Sequence, residues 1–229
     1  MTIIAVSGLL REARIAAGPG IRTLVGGGNA PLLRRTLDGA LAEGAQGLIS
    51  IGIAGGLSPS LRTGDCIVAS DVRQGDQCFP ADAAWTARIR EKLPDAIFGA
   101  VAGVDAIAVT TSDKAILFGK TGAYAVDMES HIVARAAKAY GLPFAVVRTI
   151  CDSADTALPP LASAAITARG TLALAGVLSS LARDPLQIVV LPRMARDSRA
   201  ALAALLRCRR RLGFRLLGPD GGELPLDMR

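Results

Sequence analysis

An α/β fold with a central mixed β-sheet flanked by helices is what this sequence predicts, on three observations. Apolar, strand-like runs alternate with helical stretches from the first residues to about residue 182. The central runs, Gly47–Ile53 and Phe144–Ile150, are apolar on both faces, as strands covered by helices on each side must be. No internal repeat and no low-complexity linker breaks the alternation.

The elements follow in order. Thr2–Ser7 is β-rich, Leu10–Ala16 starts a helix and Ile21–Val25 is a short strand. Asn29 is a good N-cap, and Pro31 suits the first turn of a helix reaching Glu43. Gly47–Ile53 is a strand that ends in a turn, Ala54-Gly55-Gly56. After the Gly64-Asp65 turn, Asp65–Ser70 is a strand and Asp82–Leu93 a helix. Phe98–Val104 and Ala106–Val109 read as strands, Ser112–Lys120 as a helix and Tyr124–Val126 as extended. Glu129–Tyr140 is a helix closed by Gly141 and Pro143, Phe144–Ile150 a strand, and Leu161–Leu181 a long Ala-rich helix.

With 229 residues, 51% of them hydrophobic, the chain can bury a core without metal or disulfide staples, which excludes a disordered protein. No apolar run reaches the roughly 18 residues of a membrane-spanning helix. Met1–Leu10 lacks a basic leader, and Cys66, Cys78, Cys151 and Cys208 are scattered, so a reduced, cytoplasmic protein without a metal site is expected. His131 is the single histidine. A Ser-His-Asp triad or a His-built zinc site would have to use it, and its apolar helical setting reads as packing, so carboxylates are the expected catalysts.

The basic charge is local. Arg193–Arg215 holds eight arginines against one acid, Asp197, a net +7 in a chain of net +6. Asp184-Pro185 therefore divides an expected catalytic domain, residues 1–183, from a basic extension, residues 184–229. Within that extension Leu202, Leu205, Leu206 and Cys208 form one helical stripe, and Arg196, Arg199, Arg207 and Arg210 another. The pattern fits either a solvated helix packed on the domain or an amphipathic helix lying on an anionic membrane. Nucleic-acid binding is disfavoured, because no aromatic residues interleave with the arginines.

Ligands in α/β sheets gather at the carboxyl ends of strands. Three such ends stand out. Ser50–Leu57 carries a glycine segment where backbone amides can approach a ligand closely. Val126-Asp-Met-Glu-Ser130 places Glu129 at a helix start, as a site residue or simply a capping acid. Arg148–Asp155 ends an apolar strand in two acids.

Together, these motifs resemble the purine nucleoside phosphorylase and nucleosidase family. The resemblance rests on Gly52-Ile-Ala-Gly-Gly-Leu57 followed by Gly64-Asp65, on Val126–Glu129, and on Arg148-x-x-Cys-Asp152, and it covers about residues 1–182. Gly8-Leu-Leu-Arg-Glu-Ala-Arg14 and the basic tail are similar to the hopanoid-associated subgroup, linked to adenine removal from adenosylhopane. The resemblance implies the three-layer nucleoside-phosphorylase fold and a set of roles. Asp152 matches the acid that protonates purine N7, and Glu12 the carboxylate that activates water. Glu129 matches the residue gripping the ribose hydroxyls, with Met128 against the sugar and Arg148 holding Glu12 or the nucleophile. Ala54, Gly55, Gly56, Thr110 and Thr111 would border base and sugar. No cofactor is implied, and inorganic phosphate enters only if the reaction is phosphorolytic. The partners expected are a small-molecule or lipid nucleoside, an anionic membrane surface for the basic helix and further copies in a homo-oligomer.

Two departures favour hydrolysis over phosphorolysis. Ile53 stands where the family often has a hydroxyl residue. No arginine loop matches the phosphate-binding one, although Arg11, Arg14 and Arg22 are available. The aromatic residue that commonly stacks on adenine is absent from its expected region, which offers Ile116 or Phe118.

Overall fold

The computed structural model describes residues 2–159, 170–171 and 183–219. Eight strands form one mixed sheet: β1 (Ile3–Ser7), β2 (Ile21–Val25), β3 (Gly47–Gly56), β4 (Cys66–Gln74), β5 (Gln77–Pro80), β6 (Ile97–Gly103), β7 (Ala125–Asp127) and β8 (Phe144–Asp152). Among the described residues the α-helices are α1 (Leu10–Ala16), α2 (Ala30–Ala42), α3 (Ala83–Lys92), α4 (Thr111–Thr121), α5 (Ser130–Tyr140) and α6 (Leu191–Leu212).

The sheet order is β2-β1-β3-β7-β6-β4-β5, and β8 pairs with both β3 and β4. Strands β3, β8, β4, β6 and β7 thus close into a ring. β3 makes this possible by changing partners along its length. Leu48–Ala54 pairs parallel with β8, whereas Gly55 and Gly56 pair antiparallel with β7. A register shift between Ala54 and Gly55 marks the change. Ala54-Gly55-Gly56, expected as a turn, therefore continues the strand. Its glycines let two partners approach the same backbone.

Side-chain alternation builds the layers. Ile4 and Val6 of β1 and Val146 of β8 face α2 and α5, which contribute Leu33, Leu37, Ile132 and Val133. Ile3, Ala5, Ala145 and Val147 point the other way, toward Trp85 and Ile89 of α3 and Leu205, Cys208 and Leu212 of α6. The basic helix is thus part of the core. Leu205 and Leu212 are fully buried, each contributing roughly 1.5–3 kcal/mol by leaving water, while Leu206 stays 37% exposed. Thr149 Oγ1 donates to Ala201 O at 3.0 Å, and Trp85 Nε1 to Leu216 O at 2.9 Å, fastening the segment at both ends. Leu205, Cys208 and Leu212 of that apolar stripe are spent on the sheet, so a membrane would meet chiefly the arginine face.

Other elements differ from the sequence reading. Residues 106–109 form no strand; they belong to an irregular connection that leads into Thr110, the N-cap of α4. β4 runs on to Gln74 and turns at Gly75 (φ +55°) into β5, a hairpin that sequence reading missed. The expected helix Leu161–Leu181 lies mostly outside the described residues. Gly170 and Thr171, within it, form a bend with Gly170 at φ +67°, so no unbroken helix spans that range. No helix among the described residues is long and apolar enough to cross a membrane.

Candidate active site

Four strand ends meet around the last residues of β3. β1 ends at Ser7, and one turn into α1 Glu12 folds back, 1% exposed. Its carboxylate accepts Leu9 N–H at 2.7 Å and Ile53 N–H at 2.9 Å, joining the ends of β1 and β3. A Cβ at Gly52 would stand 2.8 Å from Glu12 Oε2 and 2.7 Å from Arg148 Nη1, so only glycine leaves room for both. Burial pushes the Glu12 carboxyl upward, against the pull of the Arg148 charge.

Arg148 lies on β8 beneath this cluster, fully buried. Nη2 donates to Ser50 Oγ at 2.5 Å and Nη1 to Ile53 O at 3.2 Å, while Nη2 stands 3.4 Å from Glu129 Oε2. Nε is 2.8 Å from Asp127 Oδ2, an ion pair off the line of a hydrogen bond. Asp127 in turn accepts Glu129 N–H at 2.9 Å and Ser130 N–H at 2.7 Å, fixing the start of α5. A planar, permanently charged guanidinium suits a site that must neutralise several acids at once.

Glu129 occupies a slot cleared by two glycines. A Cβ at Gly8 would lie 3.0 Å from its Oε1, and one at Gly26 3.0 Å from its Cγ. Met128 is half-buried beside it and lines a small cleft with Gly26, Gly28 and Asn29. At the end of β8, Asp152 faces Gly55, whose Cβ would be 3.2 Å from Oδ2. Lys114 Nζ of α4 reaches that same oxygen at 2.5 Å. Burial raises the Asp152 carboxyl and the ammonium lowers it, and burial prevails.

The structure brings Glu12, Arg148 and Asp152 to the stretch of β3 that holds Ala54, Gly55 and Gly56, with Glu129 joined to it through Arg148 and Met128 lining the adjoining cleft. Thr110 and Thr111 are exposed, and the Thr110 hydroxyl is committed to capping α4 through Asp113. Ile116 points outward, 53% exposed, and Phe118 packs on the small cluster around Leu57 and Val126. Sequence reading missed Asp127, Ser50, Ser130 and Lys114. Asp127 lay inside a quoted motif. Lys114 carried a fainter signal: it is one of four lysines in a chain that otherwise uses arginine.

Residues 4–181 match the family model described as the phosphorylase superfamily. The chain belongs to that superfamily. Among solved structures, this superfamily member is similar to the 5′-methylthioadenosine/S-adenosylhomocysteine nucleosidase of Helicobacter pylori, at 17% identity over 91% of this chain and 97% of that one, with TM-score 0.63. The corresponding nucleosidase of S. pneumoniae aligns at 17% identity over 91% and 99%, with TM-score 0.62. The futalosine hydrolase of H. pylori aligns at 19% identity over 66% and 88%, with TM-score 0.58. At these identities the likeness is one of fold.

The electrostatics of this superfamily site predict a pH-dependent stability. Burial pushes Glu129 up to about 8, with Arg148 opposing and Asp127 and Glu12 adding to the rise. A carboxyl raised on folding favours the native state when protonated. That contribution is complete below its ordinary value near 4.5 and is lost as pH rises through about 8. Unfolding free energy from urea titrations should therefore fall between pH 5 and pH 8, by up to about 1.4 kcal/mol per pH unit. Glu129→Gln should flatten that slope. An unchanged slope in the variant would show that Glu129 is ionised throughout.

Proposed function

We propose that this phosphorylase-superfamily chain is a purine nucleosidase that hydrolyses the N-glycosidic bond of a lipid-linked adenosine, adenosylhopane, and releases adenine in hopanoid side-chain biosynthesis. The observation that carries the nucleosidase part is the convergence of three buried carboxylates, Glu12, Glu129 and Asp152, around Arg148 and the glycine-bearing end of β3.

Glycosidic cleavage needs a proton for the leaving base, a base for water and negative charge near an oxocarbenium-like ribose. Asp152 supplies the proton to purine N7 as the C1′–N9 bond breaks and its electron pair moves to the purine. Glu12 takes a proton from the water that attacks C1′. Glu129 holds the ribose 2′ and 3′ hydroxyls, with Met128 against the sugar. Arg148, already bound by Asp127, Glu129 and Ser50, serves as the internal counter-charge.

Hydrolysis fits better than phosphorolysis. Arg11 and Arg14 are exposed, Arg22 pairs with Glu43 at 2.5 Å, and Ile53 brings no hydroxyl.

A lipid-linked substrate is supported by the surface leading into α6. Ile188 and Val189 are 60% and 74% exposed, and the exposed Arg193 and Arg196 follow them. Apolar tips beside guanidinium groups suit an anionic bilayer surface on the cytoplasmic side. The second reading, a methylthioadenosine/adenosylhomocysteine nucleosidase, is favoured by the similarity over nearly the whole chain to structures of that name.

Chromatographic detection of adenine from adenosylhopane in detergent and from methylthioadenosine, each with and without phosphate, separates them. Phosphate-independent release from the hopanoid alone supports the lipid reading. Release mainly from methylthioadenosine replaces it, and dependence on phosphate would overturn hydrolysis.

A further inference from the structure

Lys114 is the one fully buried lysine among the described residues, 1% exposed in the first turns of α4. A buried ammonium is costly unless every proton finds an acceptor. Here all three do. Nζ donates to Asp152 Oδ2 at 2.5 Å, to Ser153 O at 2.8 Å and to Thr156 O at 2.9 Å. Every bond therefore goes to Asp152 or to the turn that follows it, which Thr156 N–H closes onto Ser153 O at 3.1 Å. No other side chain among the described residues hydrogen-bonds to the Asp152 carboxyl, whose Oδ2 lies over Gly55.

We propose that Lys114 is a positioning residue for the leaving-group acid: it grips Asp152 by Oδ2, presents Oδ1 to the purine, and ties the Ser153–Thr156 turn to α4. The proposal rests on the nucleosidase reading above. An acid that must meet N7 within hydrogen-bond reach gains from losing its rotational freedom before substrate arrives.

The same contact sets the pH at which the acid works. The charged groups acting on Asp152 are Lys114 from α4 and Asp197 from α6, the latter held by Arg193 and Arg196. Lys114 favours the carboxylate, whereas Asp197 and burial favour the acid. Removing the ammonium thus moves the loss of the acid's proton to higher pH.

Lys114→Gln tests this, because its amide can still donate to the Ser153 and Thr156 carbonyls while the charge is gone. The expected result is a roughly tenfold fall in adenine release at pH 7 from loosened positioning. With it, the alkaline limb of kcat/KM should move up by about one pH unit or more. A nitrophenyl riboside, whose leaving group departs without a proton, should be cleaved at the wild-type rate. Lys114→Arg, keeping the charge, should leave the limb in place, and it decides the matter alone should the Gln variant fail to fold. An unmoved limb in Lys114→Gln, or equal slowing of both substrates, overturns the proposal while leaving the nucleosidase reading intact. Wild-type protein that releases no adenine overturns that reading, and the role of Lys114 with it.

Discussion

Asp152→Asn should lower adenine release by about 10²–10⁴-fold, the usual worth of a positioned general acid. The substitution is nearly isosteric. Its carbonyl oxygen can still accept from Lys114 Nζ, so the tie between α4 and the end of β8 survives. What disappears is the carboxyl over Gly55 that delivers a proton to the leaving base. Adenine affinity, read by calorimetry, should change far less than turnover, because the Asn amide can donate a hydrogen bond where the acid would. Wild-type turnover in the Asn variant would remove Asp152 from the mechanism. The gathering of Glu12 and Glu129 would then need another partner on the leaving side.

Arg148→Met should destabilise the protein by about 3–5 kcal/mol, the cost of stripping a buried ion network of its cation. Arg148 is fully buried and stands between Asp127 and Glu129, with Glu12 within reach of its charge. Methionine fills much of the volume but leaves these acids without compensation. Without the cation, burial disfavours the charged forms of Glu12 and Glu129 still more, so the loss measured by urea unfolding should be larger at pH 8 than at pH 5. Arg148→Lys should rescue only part of it. A single ammonium cannot span Asp127, Glu129, the Ser50 hydroxyl and the Ile53 carbonyl as the guanidinium does. Equal stability of wild type and Arg148→Met at pH 8 would mean that the acids are neutral in the native state without help.

Much of this was legible in the residues themselves. Periodicity and turn chemistry are local, so the helices that became α2, α3 and α5 and the strands β1, β2 and β8 emerge from the chain within a residue or two at most ends. Motif chemistry singled out Glu12, Glu129, Arg148 and Asp152, and the structure brings them together at β3, with Glu129 joined through Arg148. Composition alone located the basic charge between Arg193 and Arg215.

Pairing across distance was not legible. Whether Ala54-Gly55-Gly56 turns or continues depended on β7 and β8 being there to pair with it. The short strand expected at Ala106–Val109 has no neighbour, and an apolar run without a partner stays irregular. The leucine stripe of α6 looked equally suited to a bilayer or a core, because amphipathicity records that a face is buried but not against what. The sheet face left open by α3 decided it. Lys114 shows the same limit in chemistry. Its meaning lies in a carboxylate 38 residues away along the chain and 2.5 Å away in space, a relation fixed only when α4 packs over the end of β8.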